Sequence, residues 1–134
     1  MNEFDRINNA IADFRIQSYD GINLMLIGSS DFSYYHQFEL IFHEVSYISL
    51  PTDFSYPIFR KASSTEYIQI ENIINIDREE TVYCIEAETS RSLDKLPFFI
   101  VARSVSLKEG MVYYYKRKNL KKGERIAAWV DISD

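Results

Sequence analysis

Arg103 and Glu86 are the charged side chains whose setting most invites chemistry. In PFFIVARSVSL (97–107) strand alternation puts Arg103 on the same face as Phe99, Val101 and Val105, and in TVYCIEAE (81–88) it puts Glu86 with Val82 and Cys84. A guanidinium among apolar neighbours offers a fixed fork of donors to a carboxylate or phosphate. With His36 the two define a candidate polar groove, and the plainer reading is a salt bridge on the sheet surface. His36 and His43 lie an odd number of positions apart on one predicted strand, hence on opposite faces, and cannot share a metal ion there. Either alone would serve as general acid or base only with a positioned partner, which the sequence does not supply. Cys84 is the only cysteine, so it has no disulfide partner in the chain and reads as a buried, inert thiol. The sequence carries no phosphate loop, nucleophile elbow, zinc motif or dinucleotide fingerprint. No catalytic residue, cofactor or metal is assigned.

Two other features concern surfaces. DFSYY (31–35) and DFSYP (53–57) are near copies, but their flanks diverge and no repeat of structural size is implied. Both are expected to be turns between strands, where Asp and Ser bond to nearby backbone and Pro57 disfavours regular pairing. Their aromatics Phe32, Tyr34, Tyr35, Phe54 and Tyr56 then form a contact surface or, more plainly, plug the core. The segment KRKNLKKGER (116–125) holds Lys116, Arg117, Lys118, Lys121, Lys122 and Arg125, six of the fifteen basic residues, with a single acid. It follows YYY at 113–115, the mixture of an aromatic and basic single-strand nucleic-acid platform. The plainer reading is a lysine-rich hairpin tip that keeps a sheet edge from pairing with other chains.

The elements that position these residues follow from periodicity. Phe4, Ile7, Ile11 and Phe14 recur at helical spacing and predict an N-terminal helix over about 3–18, closed near Gly21. Residues 22–132 read as β-rich. Strands are expected at 22–28, 36–50, 67–76, 81–88, 97–107, 111–117 and 125–132, with turns at Glu109-Gly110 and Lys122-Gly123. Ser63-Ser64-Thr65-Glu66 matches a helix capping box, yet the isoleucines that follow favour a strand with a bulge. Short connections imply antiparallel neighbours. Phe98, Ile100 and Ala102 are expected to share a core face with Tyr83, Ile85 and Ala87. The predicted fold class is α+β, an N-terminal helix packed on a curved, mainly antiparallel sheet of about seven strands that forms a partial barrel or sandwich.

The chain has 134 residues, the usual size of one domain, so 1–134 is read as a single globular unit. It is 46% hydrophobic and 15% aromatic, which argues against disorder. Apolar runs are too short to span a bilayer, and no secretory signal opens the sequence, so a soluble cytoplasmic protein is expected. The net charge of −5 disfavours a dedicated nucleic-acid binder. The expected function is a small non-catalytic domain that binds another protein, of an inhibitor or immunity type. The alternatives are a small-molecule binder or cavity enzyme with an aromatic pocket and, third, weak nucleic-acid binding through 116–125. An exposed tyrosine-bearing edge strand would also serve as a homodimer seam.

Overall fold

The computed structural model describes residues 3–10 and 12–133. Helix α1 (Glu3–Asn8) leads into β1 (Asp13–Tyr19), β2 (Leu24–Ser29), β3 (Tyr35–Ser49) and β4 (Asp53–Lys61). Helix α2 (Ser64–Glu71), β5 (Thr81–Thr89), β6 (Ser92–Tyr113) and the short β7 (Arg125–Ile126) complete the order. Strand accounts for 54% of the described residues and helix for 10%, and six antiparallel strands close into a barrel. The expected α+β class, an N-terminal helix packed on a curved sheet forming a partial barrel or sandwich, is therefore overturned: the chain is mainly β, its helices are small and the barrel is closed.

Closure comes from the two longest strands. β1, β2 and β3 form one meander and β4, β5 and β6 another; β1 then pairs with β4, and β3 pairs with β6 from Tyr35↔Tyr113 to Ser49↔Phe99. A closed barrel leaves none of these six strands as a free edge. The β1–β4 seam is short, running only from Asp13↔Ser55 to Arg15↔Asp53. Helix α1 covers the rest of it. Asn8 Nδ2 donates to the Phe59 carbonyl at 2.8 Å and its Oδ1 accepts from the Phe59 N–H at 2.8 Å, as a neighbouring strand would. Phe4 stacks on Phe59 and meets Tyr83 edge-on, so the helix plugs one opening of the barrel.

The barrel interior is aromatic. Phe14, Phe38, Phe42, Phe54, Phe59 and Tyr83 fill it with Leu26, Leu40, Ile85 and Ile100, all buried. Each such side chain contributes about 1.5–3 kcal/mol relative to exposure. The expected core pairing holds, with Tyr83 opposite Ile100 and Ile85 opposite Phe98.

Five element assignments change. The predicted helix over 3–18 ends at Asn8, because Ala12, Phe14 and Ile16 alternate inward as a strand between β2 and β4; Ile11 of the expected stripe lies outside the described residues. The segment read as a strand at 67–76 opens as α2: Ser63 Oγ accepts from the Glu66 N–H and the Glu66 carboxylate accepts from the Ser63 N–H, so the capping box decides the local structure over the isoleucine content. DFSYP is a strand, not a turn; Pro57 sits where the register against β5 slips between Ser55 and Ile58, which spares it a ladder bond. Residues 97–107 and 111–117 are not two strands about a Glu109-Gly110 turn, since β6 runs through Gly110 to Tyr113 and takes up the extra residue as a register slip opposite His36 and Phe38. The expected strand at 125–132 shrinks to β7, which runs parallel to β6.

Candidate functional site

The candidate polar groove is not one site. The outer face of β5 and β6 that carries Val82, Val101 and Phe99 is covered by Ile70 of α2 and by Tyr67, Ile74 and Ile76. Arg103 lies beside this cover, where it bonds Glu79 and reaches Asp77 Oδ2 at 3.3 Å, tying the 77–79 loop to the barrel. Glu86 pairs instead with Arg60 Nε at 2.7 Å, and Arg60 makes a forked contact to Glu66 of α2 at 2.6 and 2.9 Å. Arg103 and Glu86 thus face different partners. Hydrogen bonds from Arg60 hold the Glu66 carboxyl down to about 2. Burial pushes the neighbouring Cys84 thiol up to about 12, and with its side chain fully enclosed it is an inert residue of the wall.

His36 belongs to a third, separate cluster. Its Nδ1 lies 2.6 Å from the Tyr114 hydroxyl and its Nε2 lies 2.9 Å from Glu39 Oε2, to which Arg125 donates at 2.5 Å. His36 and Glu39 are both buried. Burial lowers the histidine pKa despite the Glu39 carboxylate. Burial raises that of Glu39, but the bonds from His36 and Arg125 together outweigh it and hold the carboxyl below its ordinary range. With both ring nitrogens engaged, the imidazole joins β3 to the chain beyond β6. His43 bonds Ser106 Oγ at 2.8 Å, and the described residues contain no group of side chains suited to a metal.

The aromatics divide. Phe54 is buried in the core, opposite Phe14 across the seam. Phe32 is half-buried, lies under the Arg15 guanidinium at 4.2 Å and borders a pocket of about 220 Å³ with Arg15, Asp53, Phe54 and Ser90. Tyr56, at φ 50°, is 61% exposed beside Pro57. Tyr34 and Tyr35 stand elsewhere, on a larger apolar groove.

That groove, about 500 Å³, is walled by Tyr34, Tyr35, Met111, Tyr113, Tyr115 and Arg117. Two distant parts of the sequence build it. DFSYY (31–35) folds on Asp31, whose carbonyl accepts from the Tyr34 and Tyr35 N–H groups at 3.2 Å and whose carboxylate accepts from the Ser33 N–H at 3.0 Å. The Tyr114 N–H then donates to the Tyr34 carbonyl at 2.8 Å, and Tyr35 pairs with Tyr113, which fixes the turn against the end of β6. Tyr34 and Tyr115 meet edge to face at 6.4 Å, as do Tyr115 and Tyr113 at 5.6 Å. The Arg117 guanidinium lies 4.3 Å over the Tyr113 ring and donates to the Tyr115 hydroxyl at 2.9 Å.

The basic segment is a loop rather than a hairpin, because β7 returns parallel to β6. Glu124 shapes it, accepting from the Lys121 N–H at 2.9 Å and from the Tyr113 hydroxyl at 3.1 Å. Of its six cations, Arg125 is drawn into the His36 cluster and Arg117 onto the groove, while Lys118, Lys121 and Lys122 are exposed and make no ion pair among the described residues. Sequence reading found Tyr34 and Tyr35 on one turn and set Tyr113 and Tyr115 beside the basic run, but it did not bring the two groups together and missed Met111. The shared parity of Tyr113 and Tyr115 was the available signal. Arg60, Glu66 and Glu39, which anchor the other clusters, were marked by little beyond the capping box. No helix among the described residues is long and apolar enough to cross a membrane. Set against known protein families, curated proteins and solved structures, the chain matches none.

Proposed function

We propose that the chain is a small non-catalytic interaction domain that docks a partner protein on the tyrosine groove, as an inhibitor or immunity-type protein would. One observation carries the reading: tyrosines from residues 31–35 and 113–115 converge on one apolar surface, where Tyr34 and Tyr115 remain 59% and 39% exposed although their rings are held in place. Rigid, partly exposed tyrosines supply contact area at low entropy cost and are typical anchors of protein interfaces. The remaining polar clusters are saturated by their own ion pairs, and supporting the barrel accounts for them. Affinity capture from the source cells with the native chain and with a Tyr34→Ala/Tyr115→Ala variant tests this. A protein recovered by the first and lost by the second supports the reading, and equal recovery or none overturns it.

Small-ligand binding is a second reading, favoured by the pocket of about 220 Å³ under Arg15 and Phe32. Titration with a fragment library, watching the Phe32 and Phe54 amide resonances, tests it; the absence of any shift there removes it.

A further inference from the structure

The tyrosine slot and the basic loop share one residue, Arg117, and this decides what the groove is built to hold. The slot is almost wholly apolar apart from tyrosine hydroxyls, and those of Tyr113 and Tyr115 are already engaged by Glu124 and Arg117. Arg117 is oriented by the Tyr113 ring and the Tyr115 hydroxyl, and no carboxylate lies within ion-pairing distance of it among the described residues. Lys118, Lys121 and Lys122 follow on the same loop, exposed. Residues 116–125 take six of the fifteen basic residues, leaving nine of them against nineteen of the twenty acids for the rest of the chain. The positive charge is thus concentrated beside this apolar groove. Acidic groups are attracted there and repelled elsewhere.

Resting on the reading above, we propose that the occupant is an extended, acidic segment of a partner protein. Its apolar side chains enter the slot between Tyr34, Tyr113 and Tyr115, and its carboxylates meet Arg117, Lys118, Lys121 and Lys122. Aromatic-lined grooves of this kind take an extended backbone, whose ordering costs little. The slot is bounded by one strand end and one tight turn, so it offers no long trough for a helix. Nucleic acid fits the same features less well. Base stacking needs open ring faces. Tyr113 is buried with Arg117 over its face, and Tyr34 and Tyr115 meet edge to face. A phosphate backbone also requires neutralisation along its length, and the rest of the chain is strongly acidic.

The test is selection of a library of random short peptides on the native full chain, with measured affinities of the enriched peptides for three variants: Tyr34→Ala/Tyr115→Ala, Arg117→Glu and Lys118→Glu/Lys121→Glu. All the substituted side chains are exposed, and circular dichroism and thermal melting check that each variant folds. The expected result is enrichment of peptides that combine acidic with apolar residues. They should bind at least about tenfold more weakly to the tyrosine and Arg117 variants and lose affinity with added salt. Enriched peptides without acidic residues, weakened by the tyrosine variant but not by Arg117→Glu or the lysine variant, overturn the acidic occupant and leave the protein-docking reading standing. Failure to enrich any peptide that distinguishes the native chain from the tyrosine variant overturns both. Tighter binding of a single-stranded oligonucleotide pool, lost in the same variants, replaces the peptide by nucleic acid. Self-association by sedimentation, lost in the same variants, replaces it by a second copy of the chain.

Discussion

Phe14 lies across Gly28: the two are register partners between β1 and β2, and a Cβ placed on residue 28 would sit 2.4 Å from the ring's Cζ. The ring has nowhere to go. Phe38 and Phe54 stack against it at 6.2 Å and Phe59 meets it edge-on at 5.0 Å, so the missing side chain of Gly28 is what lets four aromatics share the barrel interior. Gly28→Ala is expected to destabilise the protein by about 2–3 kcal/mol through overpacking. Adding Phe14→Leu should recover part of that loss, because the smaller side chain vacates the clashing volume. Urea denaturation of both variants checks this; a Gly28→Ala midpoint equal to that of the native chain would refute the contact.

Asn8 acts as a surrogate strand for β4. Replacing it by leucine keeps its bulk but removes both bonds to Phe59, leaving a backbone N–H and C=O unpaired behind the barrel wall. A loss of roughly 2 kcal/mol is expected, since stranded polar groups cost more than an average hydrogen bond contributes. Hydrogen exchange localises the effect: the Phe59 amide should exchange much faster, while amides in the β5–β6 pairing keep their protection unless the whole barrel opens. Unchanged exchange at Phe59 would mean that α1 does not close the seam.

These two residues show where sequence reading stops. The alternation of Tyr83, Ile85 and Ala87 against Phe98, Ile100 and Ala102 was legible because β5 and β6 are joined by a short turn. Closure was not legible, because it rests on β3 meeting β6 some sixty residues away, and alternation tells which face is buried but not which strand lies alongside. Phe4, Ile7 and Phe14 fit a helical stripe, yet Phe14 is claimed by the strands on either side. At α2 the opposite holds: a local capping box outweighed β-branched content. For the candidate site, the sequence showed the tyrosines of 31–35 and the aromatic and basic run of 113–125 as two separate features. Their union at Arg117 depends on the Tyr35↔Tyr113 register, which follows from the same closure.

Arg60 gives the barrel an acid-sensitive clamp. It holds Glu66 of α2 and Glu86 of β5 together, and the Glu66 carboxyl lies at about 2 against an ordinary value of 4.5. For a carboxylate whose folded pKa is depressed, the stabilisation is complete above the unfolded pKa and is lost as pH falls through the folded one. The clamp is therefore at full strength at neutral pH and weakens between about 4.5 and 2. Glu66→Gln should cost about 1.5–2 kcal/mol near neutrality, the lower part of the range for hydrogen bonds to charged groups because Arg60 is partly exposed, and flatten the acid limb of the stability curve. Chemical unfolding across that window measures both. An acid limb as steep in the variant as in the native chain would place the sensitivity elsewhere.

The His36 cluster should respond at higher pH. Burial lowers the His36 pKa below its ordinary 6.5, so on acidification the unfolded chain takes up this proton before the folded one does. Stability rises with pH wherever the unfolded state binds more protons, so this histidine's contribution is complete above about 6.5 and declines as pH falls toward its folded value. Glu39, also depressed, has the same sign in its own lower window, beneath 4.5. His36→Gln should abolish the upper step and leave the Glu39 step in place, with an overall loss of about 1–3 kcal/mol at neutral pH from imperfect pairing of Glu39 and Tyr114. Because Arg125 shares the Glu39 carboxylate and Ala127 donates to the Tyr113 carbonyl, loosening this cluster should free β7 before the barrel itself. Proteolysis after Arg125 should therefore speed up in His36→Gln while the six-stranded core stays intact. Simultaneous loss of barrel and β7 in the variant would show that the cluster supports the whole fold and not the attachment of this segment.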